Sequence, residues 1–281
     1  KNGEKIYNIL NRFAIDHSNG DIYYLSGYSI CKNGAIIWRY SSGLLVYELL
    51  VSSGKAYCVT RTSDWKYSLY NANTGEKITD IGTDLSDGYF GAANISPDGK
   101  KIGVVLSGEN AFGDNVGLAS IYDIESGSLK ETIMDEEEPI VGSGCAFDND
   151  GNFYYAASTP YINGEWAYYH FNIHKNDQVL YTIKKSDYYY DGNMEVPIIV
   201  SGKDIYFAFL YGNDNNTIGV FKNGSHQYDI NVSQSDYPQA IRISSKGNLY
   251  VGGYKEIFRD GKNVYTLEVQ NENIGDFDIY E

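Results

Sequence analysis

The stretch Ile241–Glu268, IRISSKGNLYVGGYKEIFRDGKNVYTLE, decides the fold. With Ala240 in front it holds four short runs rich in β-branched and aromatic residues: AIRIS, NLYVGGY, KEIFR and KNVYTLE. Such residues suit a pleated, half-buried surface. Ser245-Lys246-Gly247 separates the first two runs and Arg259-Asp260-Gly261 the last two. Both are tight-turn sequences, in which glycine supplies the positive φ that a short hairpin connection requires.

The same unit recurs along the chain. Its first turn is marked by Gly20, Gly54, Gly99, Gly151, Gly202 and Gly247, and an apolar, often tyrosine-bearing run follows nearly every one. These runs include DIYYLSG from Asp21, KAYCVT from Lys55, NFYYAAS from Asn152 and DIYFAF from Asp204. The second turn recurs at Gly34, Gly75, Gly127, Asp177, Gly224 and Gly261, each leading into a fourth run such as AIIWRY or NVYTLE. Six complete four-strand units result, spaced by about 35 to 50 residues, the period of propeller blades. No segment of useful length shows apolar residues at i, i+3, i+4 and i+7, so almost no helix is expected.

A lone four-stranded sheet of this size cannot bury both of its faces. Stacking such sheets around an axis solves that problem and leaves only short, protected edges. The expected fold is therefore an all-β propeller of four-stranded antiparallel blades, a single domain over residues 1–281. Seven blades are favoured over six. Lys1–Leu10 (KNGEKIYNIL) matches a second turn and fourth strand, and Ile274–Tyr280 (IGDFDIY) matches a first strand. Read circularly, the two termini share a closing blade.

SPDGKKIGVV (Ser96–Val105) resembles the Pro-Asp-Gly-Lys repeat of TolB-like and WD40-like propellers, and SKGNLYVGG (Ser245–Gly253) is similar to NHL-type blades. The likeness spans almost the whole chain but is to a superfamily, carried by short turn-strand signatures. The Gly-His and Trp-Asp marks of WD40 repeats and the Asp box of sialidase-like blades are missing. No family's catalytic residues carry over. The resemblance implies the fold, and a place among exported bacterial proteins: periplasmic, secreted or surface-attached.

Composition narrows the partners. Tyrosine is in excess, 28 copies against 11 phenylalanines and 3 tryptophans, and it buries a ring while keeping its hydroxyl wet. A net charge of −15 repels a phosphate backbone, which excludes nucleic acid as the expected partner. No apolar run approaches the length of a membrane span. The chain starts at Lys1 without an initiator methionine, which either a removed export signal or trimming explains. Cys31, Cys58 and Cys145 cannot all pair, and buried free thiols are the expectation. A monomer is expected.

The repeat also says which face should work. Antiparallel strands put turns 1–2 and 3–4 on one face of the disc, and connections 2–3 and 4–1 on the other. The first set is nearly always a tight glycine turn; the second holds the length and variety. Its stretches are SDWKY at Ser63, SDGYF at Ser86, SGENAFGDN at Ser107, EEEP at Glu136, STPYINGEW at Ser158, SDYYYDGN at Ser186, YGNDNNT at Tyr211 and QSDYP at Gln234. Long loops on one rim of a rigid scaffold are where binding concentrates. The candidate ligand contacts are Trp65, Tyr89, Phe90, Phe112, Tyr161, Trp166, Tyr188, Tyr189, Tyr190, Tyr211 and Tyr237. Aromatic planes beside amides and carboxylates suit a glycan, and tyrosine and tryptophan equally suit a protein partner.

Catalytic and metal motifs are weak. Asp148-Asn149-Asp150-Gly151-Asn152 has oxygen ligands but occupies an ordinary first turn and lacks the distal glutamate of a calcium loop. His170 and His174 lie in a strand, AYYHFNIHK, where i and i+4 stand about 13 Å apart, too far to share a metal. His17 is expected in a first strand near the axis. No serine elbow or P-loop is present. No catalytic residue, metal or cofactor is assigned. The expected function is a non-enzymatic binding scaffold; the alternative is a lyase or hydrolase acting at the mouth of the central channel, and a third possibility is a structural spacer.

Overall fold

Every regular element is a strand, in a computed structural model that describes residues 12–82, 85–109, 115–135, 140–163, 166–183, 196–211, 217–232, 238–253, 255–267, 277 and 279. Blade one is Phe13–Asp16, Asp21–Leu25, Ser29–Lys32 and Ala35–Arg39 (β1–β4). Blade two is Leu44–Ser52, Lys55–Thr62, Tyr67–Asn71 and Glu76–Ile81 (β5–β8). Blade three is Ser86–Ile95, Lys101–Glu109, Asn115–Asp123 and Leu129–Asp135 (β9–β12). Blade four is Ile140–Phe147, Phe153–Asn163, Trp166–Lys175 and Gln178–Ile183 (β13–β16). Blade five is Ile198–Ser201, Asp204–Tyr211, Thr217–Lys222 and Ser225–Asn231 (β17–β20). Blade six is Ala240–Ile243, Leu249–Gly252, Glu256–Arg259 and Lys262–Thr266 (β21–β24). Each sheet is antiparallel, with its four strands in sequence order.

The propeller has six blades, which corrects the favoured count of seven. Each blade is continuous in sequence. The count of seven took IGDFDIY as the inner strand of a further blade. Instead Phe277 and Ile279 pack on Ala240, Tyr250 and Ile257 and complete the core of blade six. Gly252 makes the room: a Cβ there would overlap the Phe277 ring. The other half of the expected closing blade, Lys1–Leu10, lies outside the described residues.

A second correction concerns STPYINGEW, expected as a loop. β14 and β15 run on through it as a hairpin, pairing Pro160 with Tyr169 and Asn163 with Trp166. SDGYF likewise belongs to the start of β9.

Four of the six 3–4 turns are held by one device. In the 3–4 turn, Asn33, Asn176, Asn223 and Asp260 all adopt positive φ, between 47° and 52°. Asn and Asp tolerate this region better than other side-chain-bearing residues. From there each side-chain oxygen accepts the N–H near the start of the second strand: Ile22, Phe153 and Ile205 at 2.9 Å, Leu249 at 3.0 Å. The amide of Asn33 also donates to Asp21 (2.7 Å), and that of Asn223 to Asp204 (2.9 Å). Where the partner position is Asn248, the latch is Asp260; the two residue types exchange places. The lysine before the latch closes the corner: Lys32 pairs with Asp21 and Lys222 with Asp204, both at 2.7 Å.

Hydrophobic seams join successive blades. Leu49 and Cys58 meet Tyr23 and Ile30 between blades one and two, and Val59 and Leu69 meet Ile102 and Leu106 between two and three. Val105 and Ile121 meet Phe147 and Phe153 at the next seam, where Gly103 leaves space for the Phe153 ring. The last two seams are built on Phe171 with Phe207 and Phe209, and on Val220 with Val251. Cys31, Cys58 and Cys145 are buried free thiols within this packing.

Candidate ligand-binding site

The connection from β6 to β7, Ser63–Lys66, belongs to the face opposite the latched turns. It is short enough to be closed by two backbone bonds, Thr62 N–H to Lys66 O (3.0 Å) and Trp65 N–H to Thr62 O (3.1 Å). That closure forces Trp65 to φ 62°, a region costly for a bulky residue. The indole is 41% exposed, and the Tyr89 ring from β9 is 63% exposed. The two rings meet edge-to-face across the seam of blades two and three, with centroids 5.7 Å apart.

Behind them stands Arg61 of β6. Its guanidinium carbon lies 3.7 Å from the centre of the Trp65 ring and 5.1 Å from that of Tyr47. Tyr47 is the extra residue of a β-bulge, unpaired between Val46–Thr60 and Glu48–Val59, and bulges redirect side chains. Tyr67, directly across the ladder from Arg61, and Phe90 complete the backing. Tyr47, Tyr67 and Phe90 have pairwise ring centroids 5.6 to 5.9 Å apart, and the Phe90 N–H donates to the Tyr67 hydroxyl at 3.2 Å. Burial raises the Tyr67 hydroxyl's pKa, partly offset by a hydrogen bond from Arg61 and by that cation's charge.

The charges around the patch are mostly matched. Asp64 accepts from the Thr62 hydroxyl and stands 3.4 Å from the Lys66 ammonium, and its carboxyl titrates below the ordinary range, chiefly through the Thr62 bond. Glu48 pairs with Arg12 at 2.9 Å. Arg61 differs. Its buried Nε has no hydrogen-bond partner, and none of the ion pairs among the described residues includes it.

Of the residues expected to contact ligand, the structure brings Trp65 and Tyr89 together. Phe90 is partly buried behind them. Tyr211 is half-buried at the end of β18, its hydroxyl donating to Asp229. Tyr161 and Trp166 lie on the β14–β15 hairpin. Phe112, Tyr188, Tyr189, Tyr190 and Tyr237 lie outside the described residues. Arg61, Tyr47 and Tyr67 were not anticipated. A signal for Arg61 existed: counted from the strand's first residue, the same place holds Ser107 in β10 and Leu210 in β18.

The chemical candidates fall elsewhere. His17 is exposed in the first turn, beyond the end of β1, and not in a strand near the axis. His174 is buried and stacks on Tyr155 at 4.7 Å. Full burial drives the Cys145 thiol well above its ordinary range, which keeps it un-ionised and poorly nucleophilic. Asp148 caps its own turn, accepting from Asn152 and from the Tyr154 hydroxyl (2.9 Å). Among the described residues, no three His, Cys, Asp or Glu side chains stand close enough to hold one metal ion.

Comparison with solved structures places the fold in company. The chain superposes on the computationally designed Ika8 protein with a TM-score of 0.56 at 13% identity, covering 99% of this chain and 82% of that one. The Dos1 propeller gives 0.53 at 13% identity, covering 92% and 67%. KlHsv2 with loop 6CD replaced by a Gly-Ser linker gives 0.53 at 14%, covering 94% and 83%. No family model matches the sequence. No curated protein matches it either. At such identities the likeness establishes the propeller fold alone.

Proposed function

We propose that this propeller is a non-enzymatic binding scaffold working outside the cytoplasm, and that its loop-bearing face takes a glycan on the Trp65–Tyr89 platform. One observation carries the proposal. A tryptophan is held exposed at a backbone angle that disfavours it, beside an exposed tyrosine and over a stack of four further side chains. Strained residues kept in place by their surroundings cluster at functional sites. Flat rings with exposed faces offer apolar planes to the C–H faces of sugar rings, while neighbouring polar groups take the hydroxyls. The extracytoplasmic location rests on the acidic, tyrosine-rich composition and on the turn signatures that resemble exported propellers.

A glycan array probed with the wild-type chain and with Trp65→Ala and Tyr89→Ala tests this. Binding to at least one glycan class is expected, weakened about tenfold or more by Trp65→Ala, in line with the loss of a central aromatic contact. Binding that neither substitution weakens would remove the platform. No glycan binding at all would transfer the site to a protein partner.

A further inference from the structure

Resting on the glycan reading of this site, we infer that the sugar it takes is acidic, a uronic-acid residue whose carboxylate is received by Arg61.

Arg61 carries more donors than the protein fills. A guanidinium carries five N–H donors, no acceptor, and a charge it cannot shed. Buried polar groups in native proteins are overwhelmingly paired, and an exception calls for an explanation. Arg61 is such an exception: its Nε is buried and unpartnered. The Tyr67 hydroxyl engages the guanidinium, and the rings of Trp65 and Tyr47 stabilise the cation through their π faces, but none of these partners reaches Nε or neutralises the charge. None of the ion pairs among the described residues includes Arg61: Asp64 is engaged by Thr62 and Lys66, and Glu48 by Arg12.

Arginine held by aromatic stacking is well suited to a planar anion, because its donors form a rigid fork matching the two oxygens of a carboxylate. A uronic acid carries both complementary parts on one ring: C–H faces for the exposed Trp65 and Tyr89, and a carboxylate for the cation beside them. The chain's net charge of −15 opposes any anion at long range. At physiological ionic strength that field is screened beyond about 8 Å, whereas a contact with Arg61 is not.

The test leaves the protein intact and alters the ligand. Hexamers of galacturonate, alginate and hyaluronan are titrated calorimetrically into the wild-type chain in 0.15 M salt, alongside the same hexamers with their carboxyls converted to methyl esters. At least one acidic hexamer is expected to bind, with its ester weaker by about tenfold or more. Arg61→Gln should abolish that difference, and Arg61→Lys should not restore it, because an ammonium lacks the fork. Trp65→Ala should weaken acid and ester together. Esters that bind as well as their acids would overturn the carboxylate inference and leave the glycan platform standing. If no acidic hexamer binds, the carboxylate inference falls, and the array decides the glycan reading by itself.

Discussion

The latch in blade five permits a worked prediction. Asn223 sits at φ 50° and makes two bonds of 2.9 Å, accepting from the Ile205 N–H and donating to Asp204. Asn223→Ala removes both. Leaving the N–H of buried Ile205 unpaired costs about 1–3 kcal/mol, and the lost bond to the exposed Asp204 carboxylate adds little because solvent screens it. Alanine at a left-handed backbone angle adds about 1 kcal/mol more. The total is about 3 kcal/mol, and Lys222 still holds Asp204. With a urea slope of about 3 kcal/mol/M, the midpoint should fall by about 1 M without a change in slope. Asn223→Gly loses the same side-chain bonds without the backbone strain, so it should be milder by about 1 kcal/mol. Asn223→Asp retains an acceptor for Ile205 but sets two carboxylates against each other. Adding Asp204→Asn reproduces the arrangement of blade six, Asn248 with Asp260, and should recover at least half of the loss. Alanine and glycine variants as stable as wild type, or a double variant no better than Asn223→Asp, would refute the latch as the device that holds these four turns.

Three further outcomes follow from the same packing. Trp65→Gly relieves about 1–2 kcal/mol of backbone strain while losing about as much in ring and cation contacts, so its melting temperature should stay within a few degrees of wild type as glycan binding is lost. A large drop in melting temperature would mean that the indole is there for stability. Gly103→Ala drives a methyl into the Phe153 ring and should cost about 1–3 kcal/mol in denaturant unfolding, partly recovered by Phe153→Leu. Asp204 and Asp21 titrate below the ordinary range through Lys222 and Lys32 respectively, as does Asp148, where burial pushes upward but the bonds from Asn152 and Tyr154 outweigh it. Folded values below unfolded ones mean the contribution is complete above about pH 4 and disappears as pH falls through the folded values. Melts should therefore be flat for these groups from pH 7 to about 5 and decline below about 4; an undiminished melting temperature at pH 2 would contradict these assignments.

Much of this architecture was legible because its turns are chemically constrained. A residue at positive φ followed by glycine, repeated at Asn33-Gly34, Asn223-Gly224 and Asp260-Gly261, marks a hairpin wherever it occurs. The blade count was less legible. IGDFDIY has the composition of an inner strand, and only the packing of Phe277 and Ile279 on Ala240, Tyr250 and Ile257 places these two side chains with blade six. STPYINGEW was expected as one of the long connections between blade strands. The structure tolerates Pro160 within β14 because, among the described residues, β13 pairs with β14 only as far as Ser158, so Pro160 has a partner strand on one side alone. Trp65 and Tyr89 were visible as aromatics in the expected rim stretches. Arg61 was not, since a charged residue near a strand end ordinarily means a solvated side chain. Its role depends on the Tyr47 bulge and on a neighbouring blade, neither of which follows from local sequence.

The central claim is that one side of the ring is latched turns and the other receives ligand at the blade two–three seam. Hydrogen–deuterium exchange with and without a bound glycan from the array tests it most directly. Protection is predicted at residues 61–67 and 88–91, with none at the turns around Asn33, Asn176 and Asn223. Protection at those turns, with the Trp65 loop unchanged, would contradict the account.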